Sequence, residues 1–125
     1  MKIVVGYDES DPSERALERA AELARLYKTE LVVTSVISLL IDGKPREGGG
    51  DGRRVRERLR ELGVDARVVE AVGDPAEAIV EVAEMNGAGL IVVGTREPSL
   101  VERLLGYSVS ESVQRRAHCD VLIIH

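Results

Sequence analysis

The sequence predicts an α/β fold: a single doubly wound, open sheet of five parallel strands with helices on both faces. Two observations carry this. Four short runs rich in Val, Ile and Leu, namely KIVVGY (2–7), ELVVTSVI (30–37), LIVVG (90–94) and DVLIIH (120–125), are apolar on both faces. Strands covered by helices on both sides must look like that. Between these runs lie stretches with apolar residues at helical spacing, and a weaker, partly alternating run, DARVVEAV (65–72), supplies the fifth strand. The order is therefore β-α-β-α-β-α-β-α-β.

After the first strand, DPSERALERAAELARLYK places Leu17, Ala20, Ala21, Ala24 and Tyr27 on one helical face and Glu and Arg on the other. Asp11 is the expected cap, Pro12 suits the first helical position and Glu14 completes a capping box. The second strand is followed by DGKPREGGGDGRR (42–54), whose five glycines predict a mobile loop at the carboxyl edge of the sheet. A short helix around Val55, Leu59 and Leu62 stops at Gly63. DPAEAIVEVAEMNG repeats the first helix start with Asp74, Pro75 and Glu77, and Gly87 ends it. A last helix runs from about Ser108 to Ala117.

At 125 residues the chain reads as one domain, 1–125. With no Phe, no Trp and three Tyr, its core must be built from Val, Ile, Leu and Ala. The net charge of −5 argues against broad nucleic-acid binding, which needs excess Lys and Arg to neutralise phosphates. No apolar run approaches the roughly 20 residues that span a bilayer, so no membrane association is expected. The opening MKIVVGYDES meets Asp8 and Glu9 too soon for a signal peptide. A single cysteine, Cys119, has no partner for an internal disulfide, which fits a reducing cytoplasm. His118 and His125 lack partners at ligand spacing, so no metal is expected there.

In open α/β sheets ligands sit beyond the carboxyl ends of the strands where the strand order reverses. Right-handed crossovers make the first and fourth strands the neighbours at that switch. Two loops then face one another, GYDESDPS (6–13) and GTREPSLVERLLGYSVS (94–110). Asp8 leaves the first strand where a carboxylate suits two vicinal ribose hydroxyls, although it equally suits bracing the turn. Ser108 and Ser110 offer hydroxyls, and the amides of Ser108, Val109 and Ser110 stand at a helix amino terminus, which attracts anions. The same serines serve as caps whether or not anything binds. Gly94 is a required turn or a ligand contact.

Across essentially its whole length the chain resembles the universal stress proteins. KIVVGYDES…SERAL resembles the family's opening strand and first helix, GDPAEAIVEVAEMNGAGLIVVGTR its third helix and fourth strand, and SVSESVQRRAHCDVLII its closing helix and strand. The resemblance implies an adenine nucleotide α-hydrolase-like fold. It also implies an adenine-nucleotide site, for ATP or AMP, with base and ribose near the first two strands and phosphates in the loop after the fourth. On that pattern Gly6, Tyr7, Asp8 and Val36 lie on the adenosine side. Gly94, Arg96, Gly106, Ser108, Val109 and Ser110 lie on the phosphate side.

Nucleotide-binding members carry Gly-x-x-Gly, nine residues, then Gly-Ser/Thr. Here Gly94 and Ser108 match, but Glu97 and Tyr107 replace the second and third glycines, and Gly106 is one place early. A carboxylate ~4 Å from a phosphate costs about 4 kcal/mol at an effective dielectric near 20. The site is therefore expected to be degenerate, with ATP bound weakly and AMP or adenosine less affected. A divalent cation enters only with nucleotide, bridging Glu97 to phosphate. Lys44, Arg46, Arg53 and Arg54 are candidates to fold over the phosphates from the 42–54 loop.

The expected role is a cytoplasmic, non-enzymatic, dimeric stress-response regulator or interaction module with an unidentified protein partner. The alternative is a slow ATP hydrolase or ATP-dependent switch that uses Asp8 and a divalent metal. The resemblance implies a homodimer paired through the last strand, residues 121–124, whose apolar character suits a covered edge.

Overall fold

The computed structural model describes residues 1–37, 40–41, 44–45, 52–95 and 108–125. Its strands are β1 (Lys2–Tyr7), β2 (Leu31–Ile37), β3 (Leu40–Ile41), β4 (Lys44–Pro45), β5 (Ala66–Val72), β6 (Ala88–Gly94) and β7 (Asp120–Ile124). Its helices are α1 (Asp11–Tyr27), α2 (Arg53–Leu62), α3 (Pro75–Met85) and α4 (Val109–Arg116). Five strands form one sheet in the order β5-β2-β1-β6-β7, and every pairing in it is parallel. The reversal of strand order falls between β1 and β6, as the crossover rule requires. β3 and β4 pair antiparallel over two residues each, and β4 falls inside the 42–54 stretch predicted as loop. The rest of the 42–54 loop, apart from 44–45 and 52–54, lies outside the described residues.

Alternate residues of each central strand feed two cores. Ile3, Val5, Leu31, Val33 and Val92 pack with Leu17, Ala20, Ala21 and Ala24 of α1 and with Val55 and Leu59 of α2. Val4, Val32, Ile91 and Val93 pack on the opposite side with Ile79 and Ala83 of α3 and Val113 of α4. This two-sided burial is why β1, β2 and β6 read as unbroken apolar runs. Two expectations fail. Tyr27 is exposed, because it sits in the last turn of α1, beyond the strands its helix covers. Asp11 is not the cap: Ser10 is, its hydroxyl accepting from the Ser13 amide at 3.3 Å. That places Asp11 and Pro12 inside the first turn. Asp74 does cap α3, accepting from the Glu77 amide at 3.0 Å, and Gly63 and Gly87 adopt the left-handed backbone that ends α2 and α3.

Candidate functional site

β1 and β6 end together. Val5 is level with Val92, so Tyr7 stands level with Gly94. Here α1 comes so close that a Cβ on Gly94 would lie 2.5 Å from the Pro12 carbonyl carbon, and nearer still to its oxygen. Gly94 is therefore required by packing of β6 against the first turn of α1, whatever else it meets. α4 returns to the same end. β7 starts level with Leu90 and runs parallel to β6, so the eight residues of α4 lead back toward the carboxyl end. At 1.5 Å per residue α4 spans ~12 Å, about what β6 covers from Leu90 to Gly94 at 3.3 Å per residue. Ser108, its cap, thus lies at the same end of the sheet as Asp8.

On the β1 wall, Asp8 is exposed, and its Oδ1 accepts from the Ser10 amide at 3.0 Å and from the Ser10 hydroxyl. The Asp8 amide donates to Ser13 Oγ at 3.3 Å, and Ser13 Oγ donates to the Ser10 carbonyl at 2.9 Å. Glu9 is held at φ 68°, a left-handed conformation uncommon for a residue with a side chain. Asp8 braces this turn and presents its carboxylate from it.

Tyr7 points the other way. It is 2% exposed, and its hydroxyl donates to Glu14 Oε1 at 2.6 Å, under α1 and α2. Glu14 also accepts from Arg54 Nε at 3.0 Å and from Arg58 Nε at 2.9 Å. Arg58 reaches on to Glu18 at 2.8 Å and Glu61 at 2.6 Å. Burial pushes the Tyr7 phenol well above its ordinary value, and the Glu14 carboxylate adds to this. Burial also pushes Glu14 up, but the hydrogen bonds from Tyr7, Arg54 and Arg58 outweigh it and hold the carboxyl below its ordinary range. Sequence reasoning missed this cluster. The available signal was Tyr7 at a strand end and Glu14 one helical turn past the cap, with Arg54 and Arg58 on one face of α2.

On the β6 wall, Ser108 Oγ accepts from the Glu111 amide at 3.4 Å and lies 3.3 Å from Ser110 Oγ. Ser110 is nearly buried, and Val109 is half-buried beside it. Glu111 sits in the first turn of α4, where its charge suits the helix dipole but opposes a bound anion. A Cβ on Gly6, near the end of β1, would meet Ile79 Cδ1 at 2.5 Å, so the Ile79 side chain would have to shift to admit it. The structure therefore brings Gly6, Asp8, Gly94, Ser108, Val109 and Ser110 to one end of the sheet and turns the Tyr7 ring away from it. Val36 lies near the carboxyl end of β2. Arg96, Glu97, Gly106 and Tyr107 lie outside the described residues. Arg54 is engaged with Glu14, rather than poised over the cleft.

The universal stress protein family model matches residues 1–125. The chain belongs to the universal stress protein family. A universal stress protein of Methanocaldococcus jannaschii is 34% identical, over 98% of this chain and 81% of its own length. A universal stress protein solved in complex with cAMP superposes with a TM-score of 0.78 at 32% identity, covering 100% of this chain and 96% of that one. Another, from Archaeoglobus fulgidus in complex with dAMP, gives 0.69 at 29% identity, covering 100% and 98%. The resemblance read across essentially the whole length of the sequence is thus borne out. Among the described residues no helix is long and apolar enough to cross a membrane.

Proposed function

We propose that this universal stress protein is a dimeric stress-response regulator or interaction module, read out through a degenerate adenine-nucleotide site between the carboxyl ends of β1 and β6. Supporting this is the placing of Asp8 and the Ser108–Ser110 helix start at one end of the β1–β6 pair. Two similar proteins solved with adenine mononucleotides, cAMP and dAMP, point to the same ligand class. Asp8 holds the ribose hydroxyls, and the α4 start takes a single phosphate. Glu111 in that first turn and Glu97 in the preceding loop oppose further phosphates, so AMP is favoured over ATP relative to an intact motif. A divalent cation enters only with a nucleotide long enough to reach Glu97.

Calorimetry on Glu97→Gly tests this reading. ATP affinity should rise, by up to about a thousandfold if the carboxylate stands ~4 Å from phosphate, while AMP gains less. Unchanged or weaker ATP binding contradicts it. Phosphate release from ATP that disappears in Asp8→Ala would replace it with a slow hydrolase or switch.

The dimer is proposed through β7, which forms one edge of the sheet and leaves Val121, Leu122, Ile123 and Ile124 half-buried. A Val121→Lys, Ile123→Lys variant should be monomeric by light scattering. If it stays dimeric, another surface is responsible.

A further inference from the structure

The opposite edge of the sheet carries a feature that nucleotide binding does not use. A groove of about 380 Å³ runs between β5 and α3. On the other face of the sheet α2 covers β5, with Ala66 and Val68 packed beneath Val55 and Leu59. On this face no described element lies beyond α3, and Val69 and Ala71 of β5 are only half-buried. Met85 also lines the groove and is 78% exposed, the most exposed large apolar residue among those described.

The groove's polar lining is all of one sign. Asp74, Glu77 and Glu81 border it, and none of the ten lining residues is basic. Asp74 is already engaged, capping α3 and lying 3.8 Å from Arg116. Glu77 and Glu81 are exposed one turn apart on α3, a spacing at which like charges cost the helix a few tenths of a kcal/mol. An apolar floor with an unbalanced acidic rim is complementary to an apolar surface flanked by cations.

A second copy of this chain is a poor occupant. A two-fold contact would set Glu77 and Glu81 against their own counterparts. Strand addition is disfavoured too, because Arg67 and Glu70 put charges along β5. α3 is 11 residues long, ~16 Å, which suits a partner helix of about three turns.

We infer that the β5–α3 groove docks a basic amphipathic helix of a partner protein. Its apolar face lies on Val69, Ala71, Val82 and Met85, and its Lys or Arg residues reach Glu77 and Glu81. The surface lies at the β5 edge of the sheet and is tested without nucleotide.

The probe is a fluorescent 14-residue peptide with Leu at helical spacing and Lys elsewhere, paired with the same peptide carrying Glu for Lys. By fluorescence anisotropy near 0.1 M salt the Lys peptide should bind and the Glu peptide should not. Glu77→Lys with Glu81→Lys should weaken the Lys peptide at least tenfold and admit the Glu peptide. Met85→Ser should weaken the Lys peptide several-fold. These exposed positions should leave the thermal transition in place, and an unchanged AMP titration separates this result from the fate of the nucleotide reading. The inference is overturned if the Lys peptide fails to bind, or binds the wild type and the double variant alike. It is also overturned if the double variant merely dissolves an oligomer of this chain.

Discussion

The two walls of the β1–β6 cleft differ in how much of their hydrogen bonding the protein completes for itself. At the turn into α1, Asp8, Ser10 and Ser13 bond one another, and the neighbouring Tyr7 is locked onto Glu14 beneath two helices. At the start of α4 the described residues show one long cap bond, a backbone bond from the Ser112 amide to the Ser108 carbonyl at 2.9 Å, and a pair of facing hydroxyls. The first wall is a preformed edge, against which a ribose can be placed with little reorganisation. The second carries fewer such bonds among the described residues, and on the proposed reading it takes its final form around an anion. Damage to the first wall should therefore appear mainly as lost stability, and damage to the second mainly as lost binding.

The largest effect is expected at the joint between them. Gly94→Ala drives a methyl into the Pro12 backbone, which has no rotamer to escape by, and should cost about 3 kcal/mol in urea denaturation. Tyr7→Phe removes a hydrogen bond to a carboxylate and should cost about 2 kcal/mol, yet leave AMP affinity within about threefold. A larger loss of affinity would mean that the ring does face the ligand. Thr34→Val should act in the opposite direction. The Thr34 hydroxyl is fully buried with no hydrogen-bond partner among the described residues, so its removal should stabilise the protein by about 1 kcal/mol in the same assay.

The smallest effect concerns pH. Glu14 is held below its ordinary value of 4.5, so the stability it contributes is present above that value and is lost as pH falls through its lower folded value. Glu14→Gln should flatten the acid limb of the stability profile. An acid limb of unchanged slope would assign acid sensitivity to other carboxylates.

The sequence revealed the sheet because parallel strands buried on both faces leave unbroken apolar runs, and it revealed the switch point because right-handed crossovers permit few strand orders. Asp8 and Ser108 were legible for the same reason: each directly follows or precedes an element whose end was clear. The Ser10 cap was not, because Asp11 and Ser10 are equally good caps one residue apart. Tyr7 read as a site residue since a strand end predicts position but not which way a side chain turns. Its partner Glu14 looked like a capping-box residue, and only packing of α2 against α1 recruits it instead to Arg54 and Arg58. The β5–α3 groove left no sequence signal at all, because an edge strand with one uncovered face alternates much like any other.

The central claim is that both walls address one ligand. Adding AMP to isotopically labelled protein and following amide resonances tests it most directly. The account predicts that the amides of Tyr7 and Asp8 shift together with those of Ser108, Val109 and Ser110, along a single binding curve. Shifts confined to one of these groups, or appearing instead along residues 69–85, would contradict it.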